Sequence, residues 1–264
     1  MDKIVRILQT EMEKPGLFSL FHILWVAGII AFTVLLCIFF KDCKKKTFKT
    51  ILLISWIVLI IFEILKQITQ SFHFGDSGDM RFEYDHYHLP FHLCSAVYYV
   101  IPVYLLLKDE NSFLYKALTG FISTYFILSG FIVVLYNSIV MTNYIFINIQ
   151  TMLHHGLIVT IGCLTFTKHR QVYNIKYFFK SLAVLAAFIL AAIIINILIT
   201  PVSLHGIDMF YLNPLQVTSL PVAGLIQEHA GFIPYLLCYL IVVFGLGMLI
   251  YAIESLIIKK NKSL

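Results

Sequence analysis

The chain has 264 residues, of which 60% are hydrophobic and 12% are charged. Soluble globular proteins are about a quarter charged, so this composition excludes a soluble globular domain and indicates a membrane protein. The formal net charge of +5 does not indicate a nucleic-acid partner, because the basic residues lie in short loops between long apolar stretches.

Seven apolar stretches are long enough to cross a hydrocarbon core of ~30 Å as helices, which takes ~20 residues each. A lipid-exposed backbone must satisfy its own hydrogen bonds, so the predicted fold is all-α, a single seven-helix transmembrane domain over residues 1–264. In chain order, the predicted spans are 18–40, 50–70, 90–107, 113–136, 145–166, 178–200 and 233–257. The third is the shortest, and Pro90 fits its first turn.

Basic residues are concentrated in every second loop. They lie in segments 41–49, 108–116 and 168–180 and in the tail 259–262. Because cytoplasmic loops carry an excess of Lys and Arg, this pattern predicts an external N-terminus and a cytoplasmic C-terminus. The chain is therefore expected to be a multi-pass protein of a cell membrane.

Polar side chains within the spans share the outer half of the predicted bilayer. They are Glu63, Lys66 and Gln67 on span two, His92 and Cys94 on span three, Asn148, Thr151, His154 and His155 on span five, and Asn196 on span six. On spans two and five they recur every three to four residues and form stripes. Ionisable groups inside a bilayer are costly, so the first interpretation of this layer is functional.

Cys94 is the strongest candidate for a reactive group. A lone cysteine in a membrane is usually a small hydrophobe, but the histidines around Cys94 could hold it as a thiolate. In a helix over 90–107, His92 and Cys94 lie about 200° apart, so one face cannot present both to a small cavity. Glu63 and Lys66 are also consistent with a purely structural ion pair.

Metal binding is the main chemical alternative. Residues 85–95, DHYHLPFHLCS, contain His86, His88, His92 and Cys94, which are ligand types that zinc prefers. Their spacing is poor for a compact structural site, and neither HExxH nor CxxC occurs. We therefore predict no metal and no cofactor, while a site assembled across helices with His154 or His155 stays open.

Three motifs carry a resemblance to a known family. They are Glu63-x-x-Lys66, Leu89-Pro-Phe-His-Leu-Cys94 and His155-Gly156. Together with seven spans, they resemble the YwaF-like family of bacterial integral membrane proteins. That family is similar to an animal multi-pass acyltransferase that remodels ether phospholipids, and more distantly to membrane hydrolases of fatty-acid esters. The resemblance implies a location in the bacterial cytoplasmic membrane.

The resemblance implies that Cys94 is a nucleophile and that His155, or its neighbour His154, is the base. The thiol would attack an acyl ester of an outer-leaflet glycerophospholipid, and the resulting thioester would pass its acyl group to a lysophospholipid. Supporting roles in orienting the base, contacting phosphate or donating to the oxyanion would fall to His92, Glu63, Lys66, Gln67, Asn196, Asn148 and Thr151.

Two alternatives stay open at this stage. A lipid-ester hydrolase would use the same pair but transfer the acyl group to water. A non-enzymatic transporter or ligand-binding membrane protein would use Glu63, Lys66 and the histidines to bind a polar ligand from outside.

Overall fold

The computed structural model describes residues 1–75, 77–137, 140–203 and 205–262. The helices are α1 (Asp2–Leu8), α2 (Leu20–Phe40), α3 (Lys45–Ser71), α4 (Val97–Leu106), α5 (Phe113–Phe121), α6 (Ile127–Leu135), α7 (Ile145–His169), α8 (Ile175–Ile199), α9 (Pro221–Ala230) and α10 (Phe232–Lys262). A π-helical turn, Ile122–Phe126, joins α5 to α6, and 3₁₀ turns cover His86–His88, Cys94–Ala96, Thr200–Val202 and Met209–Tyr211. The side chains of Lys260 and Lys262, part of the predicted basic tail, lie outside the described residues.

Six helices of the described chain are long and apolar enough to cross a membrane. They are Leu20–Phe40, Lys45–Ser71, Phe113–Leu135, Ile145–His169, Ile175–Val202 and Phe232–Lys259. Each coincides with a predicted span to within a few residues at most ends. The chain is therefore an all-helical, multi-pass membrane protein.

The third predicted span is the exception, because only Cys94–Leu106 is helical there. A residue before proline is disfavoured in the α region, and Leu89 is accordingly extended, with ψ of 127°. The helix begins after this break, so the prediction of a helix over 90–107 is wrong. His92 precedes the helix, so the prediction that His92 and Cys94 lie on different faces of one helix is also wrong.

Residues 88–107 nevertheless run the length of α3 in the opposite direction. Near the end of α3, Gln67 Nε2 donates to the carbonyl oxygen of His88 at 2.8 Å. Near its start, Lys49 Nζ donates to the carbonyl oxygens of Leu105 and Leu107 at 2.7 and 2.9 Å. From Lys49 to Gln67, α3 rises about 27 Å. The non-helical residues 88–93 therefore extend the short helix Cys94–Leu106 to the length of α3.

The connections fall into two groups at opposite ends of the helices. The Cys94 end comprises the described residues among 72–93, 136–144 and 200–231, whereas the Lys45 end comprises residues 41–44, 107–112 and 170–174. At the Lys45 end, Lys168 donates to the Cys43 carbonyl and Arg170 pairs with Asp42. The connections at the Lys45 end are those in which the sequence concentrates its basic residues.

A small β-hairpin at the Cys94 end was not predicted. Strands β1 (Phe72–Phe74) and β2 (Met80–Phe82) pair antiparallel. The chain turns back at Gly78, whose φ of +81° suits glycine. The sequence signal was the alternation Phe-His-Phe and Met-Arg-Phe on either side of a glycine-containing turn. Gln9 fixes the hairpin to α1 by donating to the Thr69 and Phe72 carbonyls.

Helix α7 lies at the centre of the protein. In its most apolar window 78% of residues are buried, against 11% for α2 and for α10, which present most of their surface outward. A Cβ on Gly130 of α6 would lie 2.6 Å from the carbonyl oxygen of His155, so only glycine permits this approach. The middle of α7 is thereby held against α6, and with it the histidines that it carries.

Candidate functional site

A thiol and two imidazoles come together between α7 and the start of the short helix. The Cys94 Sγ atom and one ring nitrogen each of His154 and His155 lie within 4.8 Å of one another. Both histidines are buried, and Cys94 is half-buried. The three residues predicted as nucleophile and candidate bases therefore form one cluster.

His155 is fixed in one tautomer by its own helix. Its Nδ1 atom lies 2.7 Å from the carbonyl oxygen of Thr151, which can only accept a hydrogen bond. In the neutral imidazole Nδ1 therefore carries the hydrogen, and Nε2 keeps a lone pair. Because the described residues supply no hydrogen bond to Nε2, that atom is free to take a proton from a nearby thiol.

His154 uses both ring nitrogens in protein contacts. Its Nε2 atom lies 3.3 Å from the backbone carbonyl oxygen of Cys94, and its Nδ1 atom lies 2.9 Å from the hydroxyl of Tyr98. These bonds hold the backbone of Cys94 against α7. The geometry favours His155 as the base and gives His154 the role of positioning Cys94.

A buried carboxylate stands behind His154. The Tyr98 hydroxyl lies 3.0 Å from Glu63 Oε2, while Gln67 Nε2 and Lys66 Nζ lie 2.6 and 2.9 Å from Glu63 Oε1. Glu63 is 7% exposed, and its three partners compensate for the loss of hydration. Glu63 and Lys66 thus form the ion pair that was one of the two interpretations of their spacing.

Sequence reasoning missed Tyr98. It is one of 15 tyrosines, and its partners lie on two other helices. The available signal was its position four residues after Cys94, which places both side chains on neighbouring turns of one helix face.

Glu63, Tyr98 and His154 form a chain that accommodates two proton arrangements. With neutral His154, Nε2–H donates to the Cys94 carbonyl and the Tyr98 hydroxyl donates to Nδ1. With His154 protonated at both nitrogens, Nδ1–H donates to the Tyr98 oxygen, and Tyr98 donates to Glu63. The carboxylate can therefore stabilise positive charge on the imidazole through the phenol.

His92 lies beside a strained loop. Its Nδ1 atom is buried with no hydrogen-bond partner among the residues described, and its ring centroid lies 5.5 Å from that of Tyr211. Tyr211 and Phe210 both have positive φ, at 60° and 58°. Such strain in non-glycine residues persists only where surrounding contacts hold it, and it is concentrated at functional sites.

Two predicted supporting residues anchor loops at the Cys94 end. Asn196 donates to the Met209 carbonyl at 3.0 Å and accepts from the Met209 amide at 2.8 Å, which fixes the strained loop. Asn148 accepts from the Thr142 amide and donates to the Thr142 carbonyl, at 2.8 and 2.9 Å. Thr151 acts through its backbone carbonyl, to which His155 donates.

The break before Cys94 also matters electrostatically. Because the helical segment starts at Cys94, the sulfur lies near the partly positive N-terminus of a helix. The Ser95 and Ala96 N–H groups donate to the His92 and Leu93 carbonyls. The partial positive charge of the helix end still favours an anion, whether a thiolate or the oxyanion of an acyl-transfer intermediate. A helix running unbroken through 90–107 would not present this end to the sulfur.

A cavity of about 450 Å³ lies at the Cys94 end between α3, the hairpin and the loop before Cys94. Its lining includes Glu63, Gln67, Tyr84 and Pro90. The pKa of the Tyr84 hydroxyl is raised, mainly by burial and then by the negative charges of Glu63 and Asp85. Tyr84 is therefore a neutral group there. Through Glu63 and Gln67, the hydrogen-bonded network of Glu63, Tyr98 and His154 therefore borders a cavity at the Cys94 end.

A larger apolar cavity, of about 510 Å³, lies on a different face of α7. Leu153, Gly156, Leu157 and Thr160 line it from one side of that helix. His155 is two residues from Leu153 and therefore about 200° around the helix. This cavity is not part of the Cys94 cluster.

The same three side chains offer donors of the kind that zinc binds, a thiolate and imidazole nitrogens. His154, however, uses both nitrogens in hydrogen bonds to Tyr98 and Cys94. Only the Cys94 thiolate and one nitrogen of His155 are then left as ligands among these three side chains, fewer than the three protein ligands of a catalytic zinc site. The arrangement fits proton transfer better than metal ligation.

A model of the TMEM164 family, a family of membrane proteins, matches residues 17–252. None of the curated proteins and none of the solved structures matches the chain. The matched segment runs from just before α2 into α10, and it contains Cys94, His155 and the hydrogen-bonded network behind them.

Proposed function

We propose that this chain, which belongs to the TMEM164 family, is a membrane acyltransferase or transacylase acting on glycerophospholipids or lysophospholipids. Cys94 would be the nucleophile and His155 the base. The observation that carries the proposal is the grouping of the Cys94 sulfur with the two imidazoles within 4.8 Å. Catalytic hydrogen bonds are often long without substrate, so this separation is compatible with proton transfer in the lipid-bound protein.

In the first step, Nε2 of His155 takes the proton of the Cys94 thiol. The thiolate attacks the carbonyl carbon of a lipid ester and forms a C–S bond, while the carbonyl oxygen becomes an oxyanion. When the oxyanion collapses, the ester C–O bond breaks and His155 returns its proton to the departing lysolipid oxygen. An acyl thioester is left on Cys94.

In the second step, the hydroxyl of an acceptor lysophospholipid attacks the thioester carbonyl. His155 takes the hydroxyl proton, the C–S bond breaks, and the proton returns to the sulfur. The helix N-terminus at Cys94 supports the negative charge of both intermediates. His154, Tyr98 and Glu63 keep the Cys94 backbone in place.

We assign the reaction to the outer leaflet. Basic connections at the Lys45 end favour a cytoplasmic location for that end, which leaves the Cys94 end outside. Because the helical segment begins at Cys94, the sulfur would lie towards the outer boundary, where ester carbonyls meet the hydrocarbon. Kinship to the YwaF-like family and a bacterial cytoplasmic membrane stay predictions from the resemblance.

The test is the mass of the intact protein after incubation with phospholipid. We expect a one-acyl increase that maps to Cys94 and is removed by hydroxylamine. Cys238→Ala is the matched control, since Cys238 is an exposed cysteine on α10. A Cys94→Ala variant that keeps full lipid turnover would overturn the proposal.

A labelled lysophospholipid separates the two enzymatic outcomes. Transfer predicts label in a newly acylated phospholipid, whereas the hydrolase alternative predicts free fatty acid with the lysophospholipid unchanged. Both proceed through the same thioester, because only the acceptor oxygen differs.

A further inference from the structure

A second polar cavity, of about 320 Å³, lies at the Lys45 end, away from Cys94. Three lysines line it, Lys116 on α5 and Lys176 and Lys180 on α8. The other lining residues are Glu110, Asn111, Tyr115, His169, Val172, Asn174 and Tyr177. The proposed acyl transfer uses none of these groups.

Close packing of two helices brings the lysines to the same cavity. A Cβ on Gly120 would overlap the carbonyl oxygen of Tyr177, so the backbones of α5 and α8 are in contact there. Lys116 lies one turn before Gly120, and Lys176 and Lys180 flank Tyr177. Ammonium groups that share one cavity repel one another.

Protein carboxylates do little to offset this charge. Glu110 is the one carboxylate among the described lining residues, and it pairs with Lys45 at 2.7 Å. Lys180 Nζ lies 5.4 Å from the centre of the Phe113 ring, a weak cation–π contact. The cavity therefore carries an excess of positive charge that an anion would neutralise.

The floor of the cavity is built from groups that satisfy one another. His169 Nδ1 donates to the Thr165 carbonyl at 2.9 Å, which leaves Nε2 to accept from the Tyr115 hydroxyl at 3.0 Å. Tyr104 donates to the Tyr115 oxygen at 2.9 Å. These buried groups form a fixed wall, and binding falls to the lysines at the rim.

We propose that this cavity binds the phosphate of an anionic glycerophospholipid from the leaflet at the Lys45 end. Basic pockets between membrane helices bind anionic headgroups in this way. The surface around the cavity favours a lipid over free phosphate, because Phe113, Leu114 and Phe179 are 57%, 42% and 52% exposed. Acyl chains attached to the bound phosphate would lie along these side chains. This inference does not rest on the proposed acyl transfer.

The experiment is native mass spectrometry of the full chain in phosphatidylcholine nanodiscs, titrated with phosphatidylglycerol. We expect retained phosphatidylglycerol to bind about fivefold more weakly for each lysine changed to glutamine, down to surface levels in the triple variant Lys116→Gln, Lys176→Gln, Lys180→Gln. The matched control is Lys41→Gln, Lys44→Gln, Lys46→Gln, which removes equal charge from exposed side chains at the same end.

Two further arms separate the possible results. A triple Lys→Arg variant at the cavity should bind as the parent does, which distinguishes lost charge from lost folding. If both glutamine triples weaken binding equally, the attraction is general surface charge and the proposal fails. If inorganic phosphate displaces the lipid at comparable concentration, the site is for free phosphate and the lipid assignment fails. Cys94→Ala should leave binding unchanged.

Discussion

Two histidines on α7 repeat one local bond about four turns apart, in very different surroundings. In Thr151-x-x-x-His155 and Thr165-x-x-x-His169, the imidazole Nδ1 donates to the threonine carbonyl, at 2.7 and 2.9 Å. At His169 a tyrosine hydroxyl takes the other nitrogen. At His155, which belongs to the Cys94 cluster, no described residue bonds that nitrogen. The same sequence pattern thus produces a structural histidine at the Lys45 end and a candidate base at the Cys94 end.

The largest difference is expected when His155 and His169 are each replaced by alanine, because only His155 is a candidate base. His155→Ala should slow formation of the Cys94 thioester about 10³-fold, because general-base catalysis contributes about 10²–10⁴-fold. His169→Ala should leave that rate within about threefold and cost about 1–3 kcal/mol of stability, since Tyr115 loses a buried partner.

The measurements are thioester formation by intact mass and thermal unfolding in the same lipid nanodiscs. Equal slowing by the two variants would show that the effect of His155 is structural. In that case the assignment of the base would be wrong.

One tyrosine at each end should differ in the same sense, by a smaller amount: Tyr98, which contacts His154, and Tyr104, which contacts Tyr115. Tyr98→Phe removes the hydroxyl between Glu63 and His154 and should lower the thioester rate about tenfold, equivalent to about 1.4 kcal/mol. Tyr104→Phe removes one donor to Tyr115 and should cost about 1 kcal/mol of stability with no change in rate.

Rates for Tyr98→Phe and Tyr104→Phe are compared at saturating lipid, well below each unfolding temperature. A Tyr98→Phe variant that reacts at the parent rate would exclude the phenol from any part in positioning Cys94. It would leave the thiol and His155 as a sufficient pair.

The smallest effect is expected at the ion pair of the Lys45 end. Lys45 and Glu110 have side chains that are 48% and 50% exposed, and exposed pairs contribute about 0–1 kcal/mol. Lys45→Met should therefore change stability by less than about 1 kcal/mol and leave turnover unchanged. It should also release Glu110 to neutralise the lysine cavity and weaken phosphatidylglycerol binding about threefold.

Unfolding temperature, turnover and lipid retention are measured on the one Lys45→Met preparation. A fall in turnover larger than about threefold would show that the two ends are energetically coupled. Unchanged lipid retention would show instead that Glu110 does not reach the cavity lysines.

Most of the helices could be predicted because long apolar runs leave few alternatives in a membrane. The third span misled that reasoning, since the apolar run begins at Leu89 and Pro90, and Leu89 is extended before the proline. Composition records hydrophobicity but not the local backbone preference imposed by proline. The hairpin at Phe72–Phe82 was missed for a different reason, because its two short strands lie in a loop between two long apolar stretches.

The candidate site was predictable as a set of residue types but not as a network. Cys94 and the paired histidines could be named from motifs, and Glu63 with Lys66 from their spacing. The choice of His155 over His154 depends on which nitrogen is already bonded, and that requires coordinates. Tyr98 joins three helices, a relation that no single helix pattern contains.

The short helix after Cys94 has a consequence for the surrounding lipids. Cys94–Leu106 is about 20 Å long, whereas a typical hydrocarbon core is ~30 Å thick. Tyr99, Val103 and Leu106 are 42%, 43% and 79% exposed, so this helix meets lipid directly. Residues 88–107 together run the length of α3, but their helical part is shorter than the core, and such a mismatch is relieved by local thinning of the bilayer. If the proposed acyl transfer occurs at Cys94, the chain length of the host lipids would therefore change how their ester groups align with the sulfur.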